Sequence, residues 1–350
     1  MTTTFDSLFP TLNSTTAHGD IRISAKDFKV IEQLELNFTE SGEHWWFYIE
    51  KTNSNTAWVA TQLASACKVP ARQVGYAGMK DRHAVTQQWF SVQLPKITDI
   101  QTIQTKLPDE VKILEHHWHQ SKIKTGQLKC NEFSLTIRNI RGDQTTIEEN
   151  ITRVVQQGVP NYFGPQRFGH NMNNIQQAQD WFAGKIRVNN KKQRGILIST
   201  ARSHIFNLIV AHRIRHNLWQ QVITGDILQL DRSHSWFPAS DAAKTELSQR
   251  LHDFDIHITA ALWGEDEVQS TGQCAALENS IADTLPGYQS GFTQHRVKQD
   301  RRALRIHPGE LYFQWKKDIL QLNFKLSPGA YATCVLREIL QVFDNNQNSS

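Results

Sequence analysis

Leu320, Leu322, Phe324 and Leu326 alternate with other residues in DILQLNFKLSPG, near the end of the chain. A period of two marks a strand with one buried face. The same texture dominates the first 140 residues. There HWWFYIEK (His44–Lys51) reads as a strand of mixed face, and FSLTIRNI puts Phe133, Leu135 and Ile137 on one side. The middle differs. GVPNYFGPQRFGHN concentrates Gly158, Pro160, Gly164, Pro165 and Gly169 in one loop-like stretch. A helical run follows, ARSHIFNLIVAHRIRHNLW, with Phe206, Ile209, Val210 and Ile214 along one face, and GDILQL and HITAALWG resemble short strands or turns. A sheet interrupted by an inserted α/β domain fits this order.

Local signals sharpen the two ends. Asn55 can cap a helix in which Trp58, Val59, Leu63 and Ala66 recur at helical spacing, and Val69-Pro70 ends it. Ser327 and Pro328 are expected to open a helix with Val335, Leu336, Ile339 and Leu340 facing inward. The closing stretch DNNQNSS is polar and reads as a disordered tail.

The 350 residues suffice for roughly two domains. A hydrophobic share of 39% and a mean hydropathy of -0.50 describe a soluble globular chain. No apolar run reaches the roughly 20 residues of a membrane span, and MTTTFDSLFP lacks the basic-then-apolar pattern of a secretory signal. These features point to the cytoplasm. The four cysteines show no C-x-x-C spacing, so they read as reduced, mostly buried thiols. Net charge is +4, and the excess gathers in HHWHQSKIKTGQLK and QHRVKQDRRALRIH. Such runs suit a polyanion, although charge runs are also ordinary solvated faces.

The chemistry centres on VGYAGMKDRHAVTQQWF, where Asp81 sits among Lys80, Arg82 and His83. A turn acid pairing with its neighbours is the bland explanation. The alternative is that the bases hold a polyanion and the acid acts on it, as nucleophile or general base. Gly75 and Gly78 would let the backbone bend tightly and approach a ligand. In KCNEFSL, Asn131 and Phe133 share a strand face, so an amide could read part of a base edge and a ring could stack on it. Both could equally be a turn residue and ordinary core. Tyr331 follows Gly329 at the mouth of the last helix, facing a pocket or packing as a staple. His117 and His119 share a strand face and could bind a metal, as in a metal-dependent hydrolase, but no carboxylate or cysteine spacing completes such a site.

Together, GYAGMKDRHAVTQQW, LKCNEFSL, GVPNYFGPQRFG, TARSHIFN and SPGAYATCVLREIL resemble the tRNA pseudouridine synthases of the D type, in the family's order and from about Asp27 to Leu340. The resemblance implies an α+β pseudouridine synthase fold, with a mixed, mostly antiparallel sheet flanked by helices. The catalytic domain would be split, 1–157 and 301–343, by an insert over 158–300, with 344–350 as the tail. RNA would lie in a basic cleft between the domains. It implies isomerisation of uridine 13 in the D-arm of tRNA, with Asp81 as the essential aspartate, by attack at ribose C1′ or by removal of the C2′ proton. An isomerisation of this kind requires no cofactor or metal. The protein would act as a monomer with no obligate protein partner and no membrane. By the same match, Phe28, Asn131, Phe133 and Tyr331 surround the target nucleotide, while Lys80 and His83 are phosphate or structural contacts. Tyr331 stands where related enzymes commonly carry Phe, and Arg22 where a Lys is common. The alternative is a non-catalytic RNA-binding or RNA-chaperone protein.

Overall fold

A computed structural model of the chain describes residues 4–94, 99–233 and 235–344. The chain forms two compact units. One comprises the described parts of Thr15–Glu148, Pro308–Ala332 and Leu340–Ser350, the other those of Met1–Ser14, Glu149–His307 and Thr333–Ile339.

The first unit is built on a ten-stranded mixed sheet. Its main path runs Gly309–Lys316, Ile319–Leu326, Leu128–Arg141, Phe28–Leu34, Val85–Gln93, His44–Thr52, Val111–His119. The late strand Ile319–Leu326 does return to the early sheet. It pairs antiparallel with Leu128–Arg141, setting Leu320 opposite Ile137, Leu322 opposite Leu135 and Phe324 opposite Phe133. All six side chains are buried, so the alternation of each strand supplies one side of a shared core. Most pairings are antiparallel, but Phe28–Leu34 runs parallel to Val85–Gln93, and His18–Ile21 runs parallel to Gln341–Asp344. Asp344, assigned to the tail by its polar surroundings, is therefore the last residue of a paired strand, and the remainder of the expected tail lies outside the described residues.

The helix Thr56–Ala66 covers part of one sheet face. Asn55 caps it, its side-chain oxygen accepting from Ala57 N at 2.9 Å. Val59, Ala60, Leu63 and Ala64 pack on Phe47, Ile49, Phe90 and Val92. Trp58 is not on that buried stripe and remains 38% exposed. The last helix, Ala332–Ile339, begins later than Ser327-Pro328 suggests, because a turn closed by Ala330 N to Ser327 O at 3.2 Å comes first.

In the other unit, the helix Lys191–Arg215 starts ahead of the apolar run that announces it and buries Ile205, Phe206, Ile209 and Val210. An antiparallel four-stranded sheet contains Ile227–Leu230 and Ile256–Leu262, the segments read as short strands or turns. Two of the family-like motifs are joined here. Asn207 of TARSHIFN accepts from Phe163 N and donates to Phe163 O, both at 2.9 Å, and so ties the helix to GVPNYFGPQRFG. Buried pairs Arg213–Asp226 and Arg301–Glu278 add internal polar links.

Cys67, Cys274 and Cys334 are buried free thiols and Cys130 is partly buried, as their spacing indicates. No helix among the described residues is long and apolar enough to cross a membrane.

Candidate active site

The covered sheet face changes character along its strands. Phe47 and Ile49 give way to Lys51 on one strand, Phe90 to Gln88 and Thr86 on the next, and Phe28 and Val30 to Glu32 on a third. Lys51, Thr86, Gln88 and Glu32 are all buried. Buried polar groups cost free energy unless they are hydrogen-bonded, and here most of the bonds lead to one loop.

That loop, Ala77–Ala84, joins Val74–Tyr76 to Val85–Gln93 and carries Asp81. Lys80 N donates to Thr56 Oγ1 at 3.0 Å, and Thr56 Oγ1 donates to Gln88 Oε1 at 3.0 Å. Gln88 Nε2 donates to Gly78 O at 3.3 Å. Lys80 Nζ meets Glu32 Oε1 at 2.7 Å, and the other Glu32 oxygen accepts from Trp89 N at 3.0 Å. Lys51 Nζ donates to Asp81 O at 2.9 Å and to Ser54 O at 2.6 Å.

The loop backbone is thus held from several sides, while the Asp81 side chain is 39% exposed. Arg22 reaches it, with Nη2 3.6 Å from Asp81 Oδ1. The guanidinium lies 3.7 Å from the centre of the Phe28 ring and its Nη1 meets Asp344 Oδ2 at 2.5 Å. A planar fork can hold two carboxylates and cover an aromatic face at once, which a lysine ammonium cannot do. Arg22 also has φ 56, so its side chain leaves the backbone from the left-handed region.

The other expected residues fall into two groups. Phe28 and Phe133 are beside each other, edge to face with ring centres 6.2 Å apart, but both are buried and Phe133 stacks on Phe324 at 5.4 Å. They form a floor rather than open stacking surfaces, which matches the ordinary-core alternative for Phe133. Asn131 shares their strand face, beside Glu32, and its buried Oδ1 accepts no hydrogen bond among the described residues. Tyr331 is half-buried immediately before the last helix. His83 is exposed on the Asp81 loop. Lys80, expected as a phosphate or a structural contact, has an ammonium only 3% exposed and already committed to Glu32. Polyanion could reach it only by opening a buried ion pair.

Gly75 also has a different use. A Cβ there would lie 2.6 Å from Ile123 O and 2.7 Å from Ser91 Oγ, so the glycine admits a neighbouring chain, not a ligand. Gly75→Ala should lower unfolding stability by about 1–3 kcal/mol, measured as a shift of the urea midpoint. The histidine pair is likewise occupied. His117 stacks on Phe38 at 4.0 Å, and its ring nitrogens meet Glu40 at 2.7 Å and Glu115 at 2.6 Å. Partial burial works against its protonation, but the two carboxylates outweigh that and raise its pKa.

Sequence reasoning passed over Lys51, Glu32 and Asp344. Burial lowers the Lys51 pKa to about 8 from 10.5, against an upward pull from Asp81. The unfolded chain therefore holds this proton between pH 8 and 10.5 where the folded protein has released it. Stability from this group rises with pH across that window, by about 3 kcal/mol at most. Chemical denaturation of wild type and Lys51→Met across pH 7.5 to 10.5 should show this rise in wild type and a flatter profile in the variant.

The family model described as tRNA pseudouridine synthase D (TruD) matches residues 9–178 and 170–339. A protein from Hydrogenovibrio crunogenus named tRNA pseudouridine synthase D is 37% identical over 325 residues, 92% of each chain. One of the same name from Pseudomonas fluorescens is 38% identical over 341 residues, covering 95% of this chain and 96% of its own. A Methanosarcina mazei crystal structure named for the same synthase superposes with a TM-score of 0.73 at 21% identity, covering 94% of this chain and 95% of that one. That likeness bears on the fold, and it agrees with the α+β, mixed-sheet architecture expected from the sequence.

Proposed function

We propose that this chain, which belongs to the tRNA pseudouridine synthase D family, isomerises uridine 13 in the D-arm of tRNA to pseudouridine with Asp81 as its essential carboxylate. One observation carries the reading. Asp81 offers a carboxylate 39% exposed on a loop whose backbone is held by Lys51, Thr56 and Gln88, and Arg22 lies 3.6 Å from it. Preorganisation of this kind is what a reacting group requires, because a loose carboxylate would spend binding energy on its own ordering.

The target nucleoside leaves its stack and presents its sugar to Asp81. The carboxylate either attacks C1′, displacing the uracil, or takes the C2′ proton so that the glycosidic bond breaks to a glycal. The detached uracil turns in the pocket and rejoins C1′ through C5, which breaks the Asp81–C1′ bond on the first route or returns the proton to C2′ on the second. The C5 proton is then lost and N1 takes one up. No atom is gained or lost overall. Asn131 Oδ1, buried without a partner among the described residues, is suited to accept from a uracil N–H. Tyr331 supplies a ring beside the base, Phe28 and Phe133 form the apolar floor, and exposed His83 faces the RNA backbone. In this reading residues 158–300 are an insert within the catalytic domain, and the protein works as a cytoplasmic monomer.

Incubating a tRNA transcript with the protein and mapping pseudouridine by carbodiimide chemistry tests the reaction. The expected result is one new stop at position 13, in the presence of a strong chelator as in its absence. No stop anywhere in the D-arm would leave the RNA-chaperone reading in its place. Binding should also weaken steeply with salt, by about a thousandfold or more between about 50 and about 200 mM if six or more phosphates are contacted. A flat salt profile would contradict a phosphate-tracking surface.

A further inference from the structure

A cavity of about 360 Å3 lies beside the reacting loop, lined by Asn53, Ser54, Asn55, Trp58, Arg82 and Glu110. Arg82 is bonded directly to Asp81, so the cavity begins one residue from the carboxylate. Its two walls are fixed to each other. The Lys51 ammonium bridges Ser54 O and Asp81 O, and Asn53 N donates to Ala84 O at 3.0 Å. The shape therefore exists before any ligand arrives.

Its lining is chemically mixed. Trp58, at the third residue of its helix, leaves an indole 38% exposed although the apolar stripe of that helix lies elsewhere. One exposed tryptophan is ordinary by itself. Here it stands with polar groups that the fold does not use: among the described residues, no side-chain hydrogen bond or ion pair engages Asn53, Arg82 or Glu110. Asn55 commits its oxygen to Ala57 N and keeps its amide hydrogens. The cavity thus offers an aromatic face, donors from Arg82, Asn53 and Asn55, and an acceptor from Glu110. A site for phosphate alone would not include a carboxylate, whereas a base edge presents donors and acceptors together and a π-face to stack.

We infer that this cavity binds the base of a nucleotide flanking the target uridine on the same RNA strand, stacked on Trp58 with Arg82 at the adjoining phosphate. This inference rests on the reading of Asp81 as the reacting carboxylate. It makes Trp58 and Arg82 binding residues that act on KM more than on kcat, because they touch RNA away from the reacting atoms.

The test uses full-length protein as wild type, Trp58→Ala, Trp58→Phe and Arg82→Gln, each checked for an unchanged melting temperature. The substrates are an intact tRNA transcript and two transcripts made abasic at one or the other nucleotide beside the target. Trp58→Ala should weaken tRNA binding and raise KM roughly tenfold, with Trp58→Phe restoring most of it. Arg82→Gln, a change at an exposed side chain, should weaken binding and flatten its salt dependence. On one of the abasic tRNAs wild type should lose a similar factor and Trp58→Ala should lose nothing further. The inference is overturned if Trp58→Ala and Arg82→Gln bind and turn over like wild type, or if the Trp58→Ala penalty persists in full on both abasic tRNAs. Absence of pseudouridine with wild type would instead sink the reading of Asp81, and the binding measurements would then decide the cavity alone.

Discussion

Asp81→Asn is expected to reduce pseudouridine formation by at least about ten-thousandfold while leaving tRNA affinity nearly unchanged. Asparagine keeps the shape of the side chain but can neither attack a sugar carbon nor take a proton. The contacts that hold the loop survive the change, since Lys51 binds the Asp81 backbone oxygen and Lys80 N binds Thr56. Arg22 retains Asp344 and the Phe28 ring, so it is not left as an uncompensated buried cation. Phosphate contacts elsewhere carry affinity, and removing one negative charge near RNA does not weaken them. Single-turnover assays and filter binding separate the two quantities. A large loss of binding, or a drop in melting temperature matching the loss of rate, would make Asp81 a structural acid.

The second large effect concerns stability. Lys80→Met should cost about 3–5 kcal/mol, because it leaves the Glu32 carboxylate, with a side chain 0% exposed, without its counter-charge. Glu32→Leu combined with Lys80→Met should recover much of that, since a buried ion pair replaced whole by apolar groups loses its desolvation cost along with its attraction. Urea denaturation of wild type and the two variants measures both. The experiment also separates the two roles for Lys80. A lysine that touched phosphate would lower tRNA affinity and its salt dependence with little effect on the urea midpoint.

Much of this arrangement was readable in the residues. The alternation in Ile319–Leu326 and in FSLTIRNI required a shared sheet, and the register that pairs Phe324 with Phe133 satisfies it. The motif around Asp81 lies on a loop between two strands of that sheet. The same period of two also contained a signal that went unused. Phe28, Val30 and Glu32 lie on one face, as do Phe47, Ile49 and Lys51, so each series places a charge where an apolar residue belongs. Those two charges are the ones that hold the Asp81 loop, directly or through Lys80. Flanking bases were harder to sort, because KDR gives no sign that Lys80 turns inward while Arg82 stays out. Asp344 carried no local signal at all. Its partner Arg22 is 322 positions away, and a polar terminal run reads as tail until a strand pairing is known. The conspicuous GVPNYFGPQRFG and TARSHIFN segments are joined to each other through Asn207 and Phe163, in the unit that lacks Asp81.

The most direct measurement is a map of pseudouridine across tRNA from cells lacking this protein, with the gene restored as wild type or as Asp81→Asn at equal abundance. The account expects the modification at position 13 to vanish on deletion, to return with wild type and to stay absent with Asp81→Asn. A signal at position 13 that returned with Asp81→Asn, or that never depended on the protein, would contradict it.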